Sequence, residues 1–163
     1  MRNYGRVAAW FRARPRALRL LTRLNHVLPL VFYYLYPLLL LQLAVRQEGG
    51  RFLRVLLVPA AAFAFCTILR RLIRAERPYE SPGFVPLISR EKTGDSFPSR
   101  HMTSAAVIAF AYWYVYPAAG AALAAAAVCI AVTRVLAGIH FPRDVLAGGT
   151  LGFVFGFVGF RLI

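Results

Sequence analysis

Acidic residues are scarce in this chain: six Asp and Glu stand against 20 Lys and Arg among 163 residues, for a formal charge of +14. With three histidines besides, no His or carboxylate cluster has the spacing of metal ligands, so neither a metal nor another cofactor is expected. Cysteine is nearly absent. Cys66 and Cys129 both lie inside apolar runs, so no disulfide framework is implied and each reads as a small buried hydrophobe. Charged residues supply only 16% of the chain and hydrophobic ones 60%, with a mean hydropathy of +0.59. That balance excludes an ordinary soluble domain and points to a membrane protein one domain long. Nearly all the cations are Arg, placed between apolar spans rather than on one soluble face, which suits lipid and phosphate and argues against a nucleic acid partner.

Residues 1–25 hold seven arginines interleaved with Val7, Trp10, Phe11, Leu18 and Leu21, the composition of a helix lying in the headgroup layer, with Pro15 dividing it. Residues 26–163 then read as a transmembrane core, and the whole chain as a single membrane-embedded domain. The run His26 to Val45 is the clearest span, and no small-residue cleavage pattern follows it, so it is taken as an uncleaved helix. Further spans are expected at about Phe52 to Leu69, Ser99 to Tyr116, Ala121 to Val135 and Asp144 to Leu162. The fold class is therefore all-α, a polytopic bundle of about five transmembrane helices plus an amphipathic N-terminal helix. The proline-rich stretch Arg70 to Arg100 cannot span and is assigned to the surface. Gly148, Gly152 and Gly156 recur every four residues, a face for close helix packing, ordinarily within one bundle and less often in a homodimer. Trp113, Tyr114 and Tyr116 form an interfacial belt at the other end of the third span.

Three polar elements punctuate these spans. Arg70, Arg74 and Arg77 have i, i+4, i+7 spacing, so a helix continuing from the second span aligns them, either to bind an anion or to snorkel toward lipid phosphates. Ser99 and His101 follow Pro98 at a helix start, where free N–H groups and the dipole favour phosphate, although Ser also serves there as a plain cap. His140 and Asp144 are four apart, so the carboxylate reaches one ring nitrogen and leaves the other free as a nucleophile, with Arg134 ending the preceding span. Counting crossings returns all three elements to one membrane surface.

Arg70 to Pro78, Pro98-Ser99-Arg100-His101 and Thr133 to Asp144 resemble the three signature motifs of the type 2 phosphatidic acid phosphatase superfamily, over residues 66–155. The resemblance implies metal-independent hydrolysis of a lipid phosphate or diphosphate, prenyl or glycerolipid, through a phosphohistidine. It assigns His140 as nucleophile, Asp144 as its partner and His101 as general acid and base, with Arg70, Arg77, Ser99 and Arg134 on the phosphoryl oxygens. Three departures stand out: Arg70 replaces the usual Lys, Thr133 a commoner Ser, and Arg100 a frequent Gly. Arg100 thereby adds a cation suited to the second phosphate of a diphosphate or to a lipid headgroup. Alternative functions are a lipid phosphotransferase and a non-catalytic binder of anionic lipid. Headgroup contacts from Glu80, Glu91, Lys92 or Asp95 are weighed against simple solvation. Localisation is expected in a bacterial cell membrane, multi-pass. Sixteen of the 20 cations fall on the motif side, so the positive-inside rule turns the active site toward the cytoplasm, whereas members of the family usually work on the outer face.

Overall fold

The structure, a computed structural model, describes residues 4–88 and 93–162. Its order is α1 (Tyr4–Arg12), α2 (Pro15–Val45), α3 (Gly49–Ile73), α4 (Arg100–Val115), α5 (Pro117–Leu136) and α6 (Pro142–Phe157), the last continuing as a π-helical turn, Val158–Leu162. No strand is present among the described residues, and α2, α3, α5 and α6 with its extension are each long and apolar enough to cross a membrane. The protein is an all-α polytopic membrane bundle. The third expected span is α4, whose 16 residues fall short of a bilayer's roughly 20; it is the internal helix of the bundle. Its Ala105, Val107, Ala109 and Ala111 are buried, and it packs most extensively on α5 and α6.

Small residues create that packing. A Cβ at Gly148 would meet the Ser99 carbonyl, one at Gly152 would lie 2.5 Å from the Thr103 carbonyl oxygen, and one at Gly156 2.5 Å from the Phe110 ring. The glycine stripe of α6 therefore lies against α4 of the same chain, and the two helices run parallel. Since lipid tails are as apolar as the side chains, such close approach rather than hydrophobic transfer holds the helices together. A methyl at Gly152 would cost about 1–3 kcal/mol in strain. At the far end Tyr116 accepts a hydrogen bond from Gln42 at 2.6 Å, while Arg51 and Arg54 lie over the Tyr114 ring. Trp113 is exposed there, as an interfacial belt requires.

Several expected boundaries move. Helix α2 runs unbroken from Pro15, whose fixed φ suits a first helical position, so the division at residue 25 falls inside a helix. Helix α3 stops at Ile73 because Arg74 adopts the left-handed conformation (φ 48°), which breaks the expected single face of Arg70, Arg74 and Arg77. Cys66 is fully buried, as expected of a small hydrophobe, but Cys129 lies on the exposed side of α5. Its helix is apolar all round, so periodicity did not reveal the outward face.

Candidate active site

The end of α3, the starts of α4 and α6 and the end of α5 meet at one end of the bundle. A backbone bond from Ser99 N–H to the Asp144 carbonyl, 2.9 Å, ties the starts of α4 and α6 together. Around this tie lie Arg70, Arg77, Ser96, Ser99, Arg134, His140 and Asp144, all buried. Three buried guanidiniums against one buried carboxylate leave the site with excess positive charge, a costly arrangement in low dielectric without an anion to share it.

Each side chain is held by its own local structure. Arg70 reaches back from the last turn of α3, and its Nη1 donates to the Pro98 carbonyl at 2.6 Å and more weakly to that of Ser96 at 3.4 Å. After Arg74 reverses the chain, Ala75 accepts from Ser96 N–H at 2.8 Å, which brings the loop before α4 alongside. Arg77 then lies in extended backbone, its Nε donating to the Gly94 carbonyl at 3.0 Å. Glu80 accepts from the N–H groups of Arg77 (2.6 Å) and Gly94 (2.9 Å). It closes this loop rather than standing solvated or meeting a headgroup. Arg74 points away and is exposed, its Nε donating to the Arg71 carbonyl at 3.2 Å. Asp95 has a left-handed backbone (φ 52°); Glu91 and Lys92 lie outside the described residues.

His140 Nδ1 lies 3.4 Å from Asp144 Oδ2 and 3.3 Å from Ser96 Oγ. The same carboxylate oxygen accepts from Ser96 Oγ at 2.5 Å and from Phe141 N–H at 2.9 Å, while Oδ1 faces the exposed Arg143 at 3.7 Å. With a proton on Nδ1 directed at this oxygen, Nε2 carries the free lone pair. Burial pulls the His140 pKa below the ordinary histidine value, and the nearby charges of Arg77 and Arg134 add to that pull; the Asp144 hydrogen bond opposes it without cancelling it. The imidazole is thus neutral near pH 7.

Ser99 Oγ is fully buried and has no hydrogen-bond partner among the described residues. Such a group costs about 1–3 kcal/mol unless a ligand satisfies it. His101 and Arg100 occupy a different wall. Both line a cavity of about 620 Å³ between α2, α3 and α4, its other walls mostly apolar, with Pro29, Phe32, Phe63 and Ile108 among its residues and Tyr33, Tyr36 and Ser104 adding hydroxyls. Arg100 lies 5.7 Å over the Phe63 ring and within electrostatic reach of Arg70. His101 is exposed to this cleft while its neighbour Ser99 is buried in the cluster, so the first turn of α4 joins the cleft to the polar site.

Ser96 was not marked by sequence reasoning. Its only signal is a position two residues before Pro98, which does not distinguish it from a loop serine. Among the described residues no three His, Cys, Asp or Glu side chains gather as metal ligands.

The profile of the PAP2 superfamily matches residues 51–163. Lipid A 1-phosphatases of Rhizobium johnstonii and Rhizobium etli are each 34% identical to this chain over 90 residues, 52% of it. The matched segment spans 36% and 38% of those proteins, little more than a third of their length. Among solved structures, Aquifex aeolicus LpxE superposes with a TM-score of 0.65 at 25% identity, covering 87% of this chain and 93% of that one. A PAP2-type phosphatidylglycerolphosphate phosphatase from Bacillus subtilis superposes with a TM-score of 0.50 at 25% identity, covering 96% and 90%.

Proposed function

The chain belongs to the PAP2 superfamily, and on that premise we propose that it is a membrane lipid phosphatase working through a phosphohistidine. The observation that carries this reading is the neutral, buried His140 backed by Asp144 and Ser96 in a pocket with three buried arginines, beside an apolar cleft. A phosphate has its charge met in the first part and a hydrocarbon tail its surface covered in the second.

In this mechanism Nε2 of His140 attacks phosphorus in line, and the bond to the leaving oxygen breaks. His101, at the cleft side of the site, gives that oxygen its proton and later takes one from the water that hydrolyses the phosphohistidine. Asp144 fixes the tautomer and stabilises the cationic imidazole that forms. Arg70, Arg77, Arg134 and the unpartnered Ser99 hydroxyl hold the phosphoryl oxygens, where charge spreads in the transition state. The arginines supply the positive charge that a metal supplies in other phosphatases. The relatives' names make lipid A 1-phosphate and phosphatidylglycerophosphate the first substrates to try, with prenyl diphosphate and phosphatidic acid as further glycerolipid and prenyl tests.

The test is phosphate release from that panel by purified protein in nanodiscs, with His140→Ala and EDTA as controls. Release that survives EDTA and is lost in His140→Ala supports the reading. Wild-type protein inactive on every lipid indicates a binder of anionic lipid, and transfer to an added alcohol in place of water indicates a phosphotransferase.

A further inference from the structure

The turn that delivers His140 is held from outside the bundle core. Helix α5 ends at Leu136; the carbonyls of Thr133, Arg134 and Val135 accept from Ala137, Ile139 and Gly138 N–H, which leaves that of Leu136 to a partner from elsewhere in the chain. The Tyr4 hydroxyl, from the first residue of α1, donates to the Leu136 carbonyl at 3.2 Å and accepts from Leu87 N–H at 3.1 Å. Next to it the Ala137 carbonyl accepts from the N–H groups of Leu87 (3.2 Å) and Ile88 (3.3 Å). The Tyr4 ring stacks on Phe84 at 4.4 Å, and Arg12 at the other end of α1 donates to the Val85 carbonyl at 3.2 Å. Gly138 completes the turn with φ +76°, and a Cβ there would lie 2.5 Å from the Tyr4 hydroxyl. The buried Ile139 and then His140 follow directly.

Three segments distant in sequence thus share one knot of hydrogen bonds: α1, the loop 84–88 and the turn 136–139. We propose that Tyr4 is a positioning residue for His140, so that the N-terminal helix is part of the catalytic apparatus and not only a contact with the membrane surface. The proposal rests on the reading of His140 as nucleophile. Its physical basis is that the turn's own capping bonds, from Ala137, Gly138 and Ile139 N–H to the carbonyls of Thr133, Val135 and Arg134, leave the Leu136 and Ala137 carbonyls to be met from outside, by Tyr4 and the 87–88 backbone. Without the Tyr4 hydroxyl, two backbone groups lose a partner, and the imidazole gains freedom to leave in-line geometry. A misplacement of about 1 Å is enough to cost up to about 100-fold in rate.

Tyr4→Phe keeps the ring and its stacking on Phe84 and removes only the hydroxyl. The expected result is kcat lowered about tenfold with KM changed by less than about twofold, since the cleft that binds the tail is untouched. The acid limb of the pH profile should move up toward the ordinary histidine value as His140 becomes less buried. Backbone hydrogen exchange reads the same event without substrate: peptides covering 134–141 should exchange faster in Tyr4→Phe while those of α4 and α6 stay as in wild type. Unchanged exchange in 134–141, wild-type kcat, or acceleration spread evenly through α4 and α6 would each overturn the proposal. Wild-type protein inactive on the lipid panel would instead remove the phosphatase reading, leaving the exchange result to stand by itself.

Discussion

The Ser96 hydroxyl donates to Asp144 Oδ2 at 2.5 Å, in a site where both side chains are fully buried. This bond steers the carboxylate that in turn orients His140. Ser96→Ala should therefore lower kcat about tenfold, the equivalent of one charge-assisted hydrogen bond, with KM little changed. Steady-state kinetics on any turned-over lipid phosphate checks this; kcat equal to wild type would show that the bond has no part in orienting the imidazole.

The acidic side of the pH profile follows from the same cluster. The proposed attack by His140 needs its imidazole neutral, and its pKa is held below the ordinary histidine value by burial and by Arg77 and Arg134. Activity should therefore persist as pH falls through about 6.5, with the half-maximal point of kcat/KM on the acid limb below that value. Arg77→Gln removes one of the two cations and should shift the limb upward. A limb at or above 6.5 in wild type, or a downward shift in the variant, would contradict this assignment.

Arg100 stands at the meeting of cleft and polar site, over Phe63 and beside His101. In the proposed mechanism that is the leaving-group side of the scissile bond, where a diphosphate would carry its second anion. Arg100→Gly should reduce kcat/KM for a prenyl diphosphate about tenfold more than for the matching monophosphate. Equal losses on the two substrates would show that Arg100 does not read a second phosphate.

The charge distribution makes a prediction about sidedness. By the positive-inside rule the motif end is expected to face the cytoplasm. Val85, exposed in the loop beside the site, is a suitable reporter: Val85→Cys with Cys129 replaced should resist an impermeant thiol reagent on intact cells and react after permeabilisation. Labelling on intact cells would put the site on the outer face.

The bundle was legible in the sequence because membrane spans announce themselves by length and apolarity alone. The gathering of Arg70, Ser99, Arg134, His140 and Asp144 at one end followed from counting crossings, a matter of parity that needs no coordinates. What escaped is what depends on how the chain returns outside the helices. Arg74 breaks α3 in a left-handed turn at a residue with no glycine to mark it, so the route that brings Arg77 back was hidden. Ser96 acts through a loop whose register is set by the Ala75–Ser96 backbone bond, and Tyr4 through contacts 83 and 132 residues away. Local patterns carry no trace of such partners. Glu80 reads as an ordinary solvated acid until its two backbone donors are seen.

The most direct measurement is to trap the covalent intermediate. Purified protein is mixed with a radiophosphate-labelled lipid substrate, quenched in alkali within milliseconds, and the labelled peptide is sequenced. The account predicts an alkali-stable, acid-labile phosphoryl group on the peptide containing His140, missing from His140→Ala. Label on another residue, or a His140→Ala protein that still releases phosphate at the wild-type rate, would contradict it.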